Sequence, residues 1–213
     1  MKRFLQISLL LNSLLAIALV SCSPASGHKF IRTEVVTTNE VQPIIDQNNS
    51  LLYKAKIDLF RNHFSGLIVL KQIDSSTSHL TFITEIGMKM FDYEIRDTSF
   101  NLVYVFEPLN KPKILNLLKS DMKLILLQHL FNKQADLFEK NGEKVYKVKD
   151  NFRYYYVLNK GAKTVKTIKK KSALCTKVKT FYFYSNTLQA NQIDLKHKGL
   201  IRLKIKLNNI NKQ

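Results

Sequence analysis

From Leu51 to Leu207 most of the chain consists of short runs in which apolar and polar residues alternate, with turn residues between them. A period of two suits a strand with one face buried and suits a helix poorly, so this pattern restricts the fold more than any other feature. In residues 51–60, Tyr53, Ala55, Ile57 and Leu59 fall on one face and Lys54, Lys56 and Asp58 on the other. Runs at 64–72, 80–85, 88–95 and 99–107 complete a first meander of five strands, the last placing Phe100, Leu102, Tyr104 and Phe106 at alternate positions. Six more runs follow at 143–148, 152–158, 163–170, 176–184, 191–196 and 200–207. Asn141-Gly142, Asn159-Lys160-Gly161, Ser185-Asn186 and Lys198-Gly199 supply turns between them.

One helix interrupts the strands. Asn110 is a candidate cap, and Pro112 sits in the first turn, where its missing N–H costs nothing. Ile114, Leu117, Leu118, Met122 and Ile125 form an apolar stripe over 111–130. Leu124 to Leu127, with Leu130 and Phe131, widen it almost to the full circumference, so this end is expected to be buried or to cover something apolar. The chain is therefore mainly β, an antiparallel meander of about eleven strands with one main helix. Residues 28–49 are polar with scattered apolar positions, and a short helix leading into the domain is expected there.

The first 22 residues carry a different signal. Lys2 and Arg3 precede a mostly apolar segment, Phe4 to Val20, broken by Gln6, Ser8, Asn12 and Ser13. That composition fits a cleaved export signal better than a retained membrane helix. Leu19-Val20-Ser21-Cys22 resembles the bacterial lipobox. The resemblance implies removal of 1–21 and acylation of Cys22, with each buried methylene contributing about 0.8 kcal/mol to membrane attachment. Residues 22–50 then read as lipidated N-terminus and tether, and 51–213 as one domain. Ser rather than Asp at position 23 favours, by the usual sorting convention, the outer membrane, with the protein facing the periplasm.

The charge is uneven. Residues 1–139 hold 15 Lys and Arg against 13 Asp and Glu, whereas residues 140–213 hold 19 against Glu143, Asp150 and Asp194, a net of +16. A field of one sign attracts anionic partners. Nucleic acid is not an expected partner in the periplasm, which leaves anionic lipid headgroups, lipopolysaccharide-type phosphates or an acidic envelope protein. Lys163, Lys166, Lys169, Lys170, Lys171, Lys177 and Lys179 fall in adjacent expected strands and are expected to form one positive patch. Cys175 has no cysteine partner once Cys22 is acylated, so no internal disulfide is expected.

About eleven antiparallel strands interrupted by one amphipathic helix resemble the LolA/LolB-like lipoprotein carriers. Local wording is similar in Phe64-Ser65-Gly66-Leu67-Ile68-Val69-Leu70-Lys71, in Leu80-Thr81-Phe82-Ile83-Thr84 and in Gly87 between strands. The similarity spans roughly 51–158. It implies an incomplete barrel whose concave side is closed by the helix, and a hydrophobic cavity for acyl chains of lipid or lipoprotein. Phe82, Phe91, Tyr93, Tyr104 and Phe106 are the sheet's candidates for lining that cavity, with Met122, Ile125 and Leu126 lying over it from the helix.

No catalytic or metal-binding group stands out. Ser120-Asp121-Met122-Lys123 matches S-x-x-K, but the companion elements of serine acyl-enzymes are absent, so it reads as helix surface. The five histidines are dispersed and no Cys/His cluster has metal-ligand spacing. No cofactor and no enzymatic activity are expected. The expectation is a membrane-anchored carrier or acceptor of acyl chains, with a structural envelope lipoprotein docking an acidic partner through its basic strands as the alternative.

Overall fold

A computed structural model describes residues 23–44, 50–74, 77–96, 99–172, 175–185, 188–199 and 201–210. The lipobox and Cys22 lie outside the described residues. The first strands are β1 (Lys29–Val35), β2 (Leu51–Leu59), β3 (Asn62–Gln72), β4 (Thr77–Thr84), β5 (Lys89–Arg96) and β6 (Ser99–Val105). A 3-10 turn, Glu107–Leu109, leads into the helix α1 (Pro112–Ile125). There follow β7 (Gln134–Lys140), β8 (Glu143–Lys149), β9 (Arg153–Leu158), β10 (Val165–Lys171), β11 (Thr176–Phe183), β12 (Gln192–His197) and β13 (Leu203–Asn209).

All thirteen strands form one antiparallel sheet in the order β1-β7-β8-β9-β10-β11-β12-β13-β2-β3-β4-β5-β6. Its edges, β1 and β6, do not pair with each other, so the sheet curls without closing into a barrel. The alternation explains the inner face. Leu51, Tyr53, Ala55, Ile57 and Leu59 of β2 are buried, as are Leu203, Ile205 and Leu207 of the neighbouring β13, while Lys54, Lys56, Asp58, Lys204 and Lys206 face solvent. Helix α1 presses Leu118, Met122 and Ile125 into that inner face. An aromatic chain continues the core across β4, β5 and β6, with ring centroids 5.4 Å apart for Phe82–Phe91, 5.5 Å for Phe91–Tyr93 and 4.8 Å for Tyr93–Phe100.

Several sequence expectations change. Residues 29–35 are a strand rather than part of a helix, and they pair with β7, which the pattern also missed. Val36, Val41 and Ile44 follow β1 into the core, so the sheet's domain draws on residues before Leu51. The cause is edge placement: Phe30, Ile31 and Val35 are exposed, so β1 has no apolar side to reveal it. Helix α1 ends at Ile125 rather than near 130. Leu127 turns back with φ 61°, and Leu124 to Leu127 and Leu130 all sink into the core, which accounts for the wide apolar circumference. Asn110 does not cap α1; Lys111 holds that position without a side-chain hydrogen bond, and Pro112 supplies the preset first turn.

The two ends of α1 are held differently. At its C-terminal end the Tyr182 hydroxyl, buried on β11, reaches the carbonyls of Leu124 and Ile125. At its N-terminal end the chain from β6 through the 3-10 turn leaves a gap between helix and sheet.

Candidate functional site: two clefts at one rim of the sheet

The space beneath the second half of α1 is filled. Met122, Ile125 and Leu126 meet Tyr53, Ile68 and Leu80 around a void of about 10 Å³, at or below the smallest volume that holds one water. Phe82, Phe91 and Tyr93 are packed core residues there. Among the described residues, no cavity sized for an acyl chain opens under Met122, Ile125 and Leu126.

Tyr104 corrects a second expectation. The register of β5 with β6 shifts between Asp92 and Tyr93, so that Tyr93 faces Leu102 while Asp92 faces Tyr104. The extra residue, Val103, reverses which side of β6 points inward. Tyr104 thus lies on the outer face, 43% exposed, with the Lys89 ammonium 5.7 Å from its ring centroid.

Phe106 does line a cleft, at the opposite end of the helix. This cleft has a volume of about 800 Å³, with Leu59, Phe60, Phe64, Phe106, Leu109 and Ile114 as its apolar walls and Asn62, Lys111 and Lys113 among its polar residues. Three elements build it: the β2–β3 turn, the chain leaving the edge strand β6, and the first turn of α1.

A second cleft of about 490 Å³ lies beside it, at the same end of β2, β12 and β13. Its lining is cationic: Lys196, Lys198, Arg202 and Lys204, with Asp58 as the acid. None of the four cations has a carboxylate within 4.0 Å among the described residues, and Asp58 is hydrogen-bonded to His63 Nδ1. Phe60 belongs to both clefts. It is 54% exposed and sits at the β2–β3 turn with φ 56°, a left-handed conformation that is costly for a bulky side chain.

The expected positive patch is divided by the pleat. Lys169 and Lys179 oppose each other directly on the outer face, and the row continues through Lys196 to Lys204 on consecutive strands. Lys177 is exposed on the same side. Lys163 and Lys166 are exposed at the start of β10. Lys170 points inward and Lys171 is buried, so neither joins the row. Directly opposed like charges destabilise a sheet. Burial and its lysine neighbours, Lys179 foremost, push the Lys169 ammonium below its ordinary pKa. Lys196 and Lys204 escaped the sequence reading of the patch, because their place beside Lys179 depends on strand order.

A buried polar group pins α1 to the sheet. Asp121 Oδ2 lies 2.7 Å from His197 Nε2, and burial raises the Asp121 carboxyl above its ordinary pKa while the histidine opposes the rise. Lys170 donates to Ser120 Oγ at 2.9 Å, with its ammonium 4.4 Å from the Phe152 ring centroid. The partner of Ser120 is thus Lys170 rather than the Lys123 of its own S-x-x-K, and neither cleft is lined by Ser120 or Lys170. His129 stacks on Tyr154 at 4.6 Å, and burial, aided by Lys170 and Lys123, drops its pKa to about 4. Among the described residues no three His, Cys, Asp or Glu side chains are grouped to hold a metal ion, and no helix is long and apolar enough to cross a membrane. Cys175 is a free, exposed thiol.

No family model and no curated protein sequence matches the chain. Among solved structures, a LolA superfamily protein from Nitrosomonas europaea is similar with a TM-score of 0.49 and 6% identity, over 79% of this chain and 87% of that one. A DUF1329 family protein from Desulfovibrio piger gives 0.41 and 8%, over 78% and 85%. The domain of an outer membrane lipoprotein-sorting protein from Vibrio parahaemolyticus, itself described as putative, gives 0.36 and 9%, over 76% and 84%.

Proposed function

We propose that this chain is a non-enzymatic carrier or acceptor of the bacterial envelope, held to the outer membrane through Cys22 and facing the periplasm, that takes acyl chains of lipid or lipoprotein into the cleft at the N-terminal end of α1. The observation that carries this reading is that cleft: about 800 Å³, open, and walled by Phe60, Phe64, Phe106, Leu109 and Ile114. Its size and its mostly apolar walls with a few polar groups match ligand pockets generally. A core that needed only to be filled has been filled a few residues along the same helix. The lipobox supports the anchor, and the lipid-bearing end of such a protein would keep the cleft near its membrane.

The test is mass spectrometry of lipid extracted from the protein isolated from its native membrane, for the unaltered chain and for Ile114→Trp, which plugs the cleft from its half-buried edge. Acyl lipid that accompanies the unaltered chain and is lost from a folded Ile114→Trp is the expected result. Lipid absent from both, or retained equally by both, rejects the cleft as the binding site. The row of opposed lysines favours a second reading, a structural lipoprotein that docks an acidic envelope partner; a stable protein complex devoid of lipid would select it.

A further inference from the structure

Resting on the carrier reading, we infer that the ligand is an anionic amphiphile bearing a phosphate, its chain in the apolar cleft and its headgroup in the cationic cleft across Phe60. The two clefts differ in the way the two ends of such a molecule differ. One has walls of Phe64, Phe106, Leu109 and Ile114; the other has Lys196, Lys198, Arg202 and Lys204. They share Phe60, and the strands beneath them are directly paired, Leu59 against Leu203. A molecule lying over that rim would span both without leaving the protein surface.

Charge points the same way. The four cations have no carboxylate within 4.0 Å among the described residues; Asp58, opposite Lys204 on β2, is bonded to His63, while Lys196 faces Lys204 directly across β12 and β13. Such a pairing opposes folding, and a bound anion would relieve it. A phosphate accepts several charge-assisted hydrogen bonds at once, from both lysine ammonium and the arginine fork, and a zwitterionic or neutral headgroup offers this site less. The conformation of Phe60 is a separate sign. A half-exposed aromatic ring held at φ 56° gains little from packing, and it sits where chain and headgroup would join.

The experiment uses the full chain and four probes, each titrated calorimetrically: dihexanoylphosphatidylglycerol and dihexanoylphosphatidylcholine, both below their aggregation limits, inorganic phosphate and polyglutamate. The glycerol lipid is expected to bind about tenfold tighter than the choline lipid, with the margin shrinking as salt rises. The combined variant Lys196→Gln, Arg202→Gln, Lys204→Gln should erase the margin, and Ile114→Trp should weaken both lipids; circular dichroism verifies that each variant folds. Equal binding of the two lipids, falling together in Ile114→Trp, overturns the headgroup assignment and leaves the carrier reading standing. Inorganic phosphate binding as tightly as the glycerol lipid, with Ile114→Trp indifferent, overturns it in favour of a free-anion site. Binding of polyglutamate while neither lipid binds overturns both the assignment and the carrier reading, in favour of an acidic protein partner.

Discussion

Tyr182 donates its hydroxyl proton to the main-chain oxygen of Ile125 at 2.9 Å, and the Leu124 oxygen lies 3.3 Å from the same hydroxyl. These are carbonyls of the last turn of α1, which no further helix can satisfy, and the tyrosine reaches them from the sheet. Burial raises its pKa far above the ordinary tyrosine value, which keeps the hydroxyl protonated as a donor. Tyr182→Phe removes this donor from the Ile125 oxygen, while the Leu124 oxygen keeps the Leu127 N–H, and is expected to cost about 1–3 kcal/mol, read as a lower urea midpoint with an unchanged slope.

His129 makes the fold sensitive to acid. Its pKa falls from 6.5 in the unfolded chain to about 4 in the folded one, chiefly through burial, so the folded state binds its proton later. The stability this represents is present above pH 6.5 and is lost as pH falls through 4. Its buried Nε2 has no hydrogen-bond partner among the described residues, in keeping with a neutral ring. His129→Phe preserves stacking on Tyr154 and is expected to flatten the loss of stability between pH 6.5 and 4, by roughly 2–3 kcal/mol after allowance for residual solvent contact. Denaturant titrations at pH 7, 5.5 and 4 measure it; parallel pH profiles for both proteins would refute it.

Gly66 is a site of close approach between strands. A Cβ there would lie 2.0 Å from the Ile83 carbonyl oxygen and 2.7 Å from the Thr84 Cα, both backbone atoms that cannot swing aside. Gly66→Ala is therefore expected to push β3 from β4 and to destabilise the domain by about 3 kcal/mol or more. Thermal unfolding checks this, and a variant melting within a degree of the unaltered chain would show that the strands part easily.

The proposed membrane anchor rests on Cys22. Cys22→Ser is expected to yield a chain that carries no acyl group and no longer sediments with membranes. Intact-mass measurement and fractionation read the two effects separately, and an acylated, membrane-bound variant would refute the lipobox assignment.

How much of this could be read from sequence depended on packing. Strands such as β2 and β13 bury one face and expose the other, so Ile57 and Lys56, or Ile205 and Lys204, declare their sides. Edge strand β1 has no buried side to declare, and β7 shows only Ala135 and Leu137. Tyr104 was misplaced because a single bulged residue, Val103, reverses the alternation beyond it, and nothing in the spelling of β6 marks the bulge. Lys170 shares a run with Lys169 and Lys171, yet the pleat sends it to Ser120 inside. The position of the apolar cleft was beyond sequence altogether. Met122, Ile125 and Leu126 look as suitable as Ile114 to cover a cavity, and only three-dimensional packing decides which end of the helix is filled.

The place of β13 bears on how the molecule comes into being. In chain order it is the last strand, yet in space it is the seam between two meanders, one from β2 to β6 and the other from β7 to β12. The two meanders are assembled from local hairpins, whereas the join of Leu203–Asn209 to Leu51–Leu59 waits until some 150 residues have intervened. Until that join forms, each half has an unpaired edge strand, β2 on one and β12 on the other. Such edges invite pairing with the wrong strand. A chaperone would be of most use in the interval before β13 docks against β2.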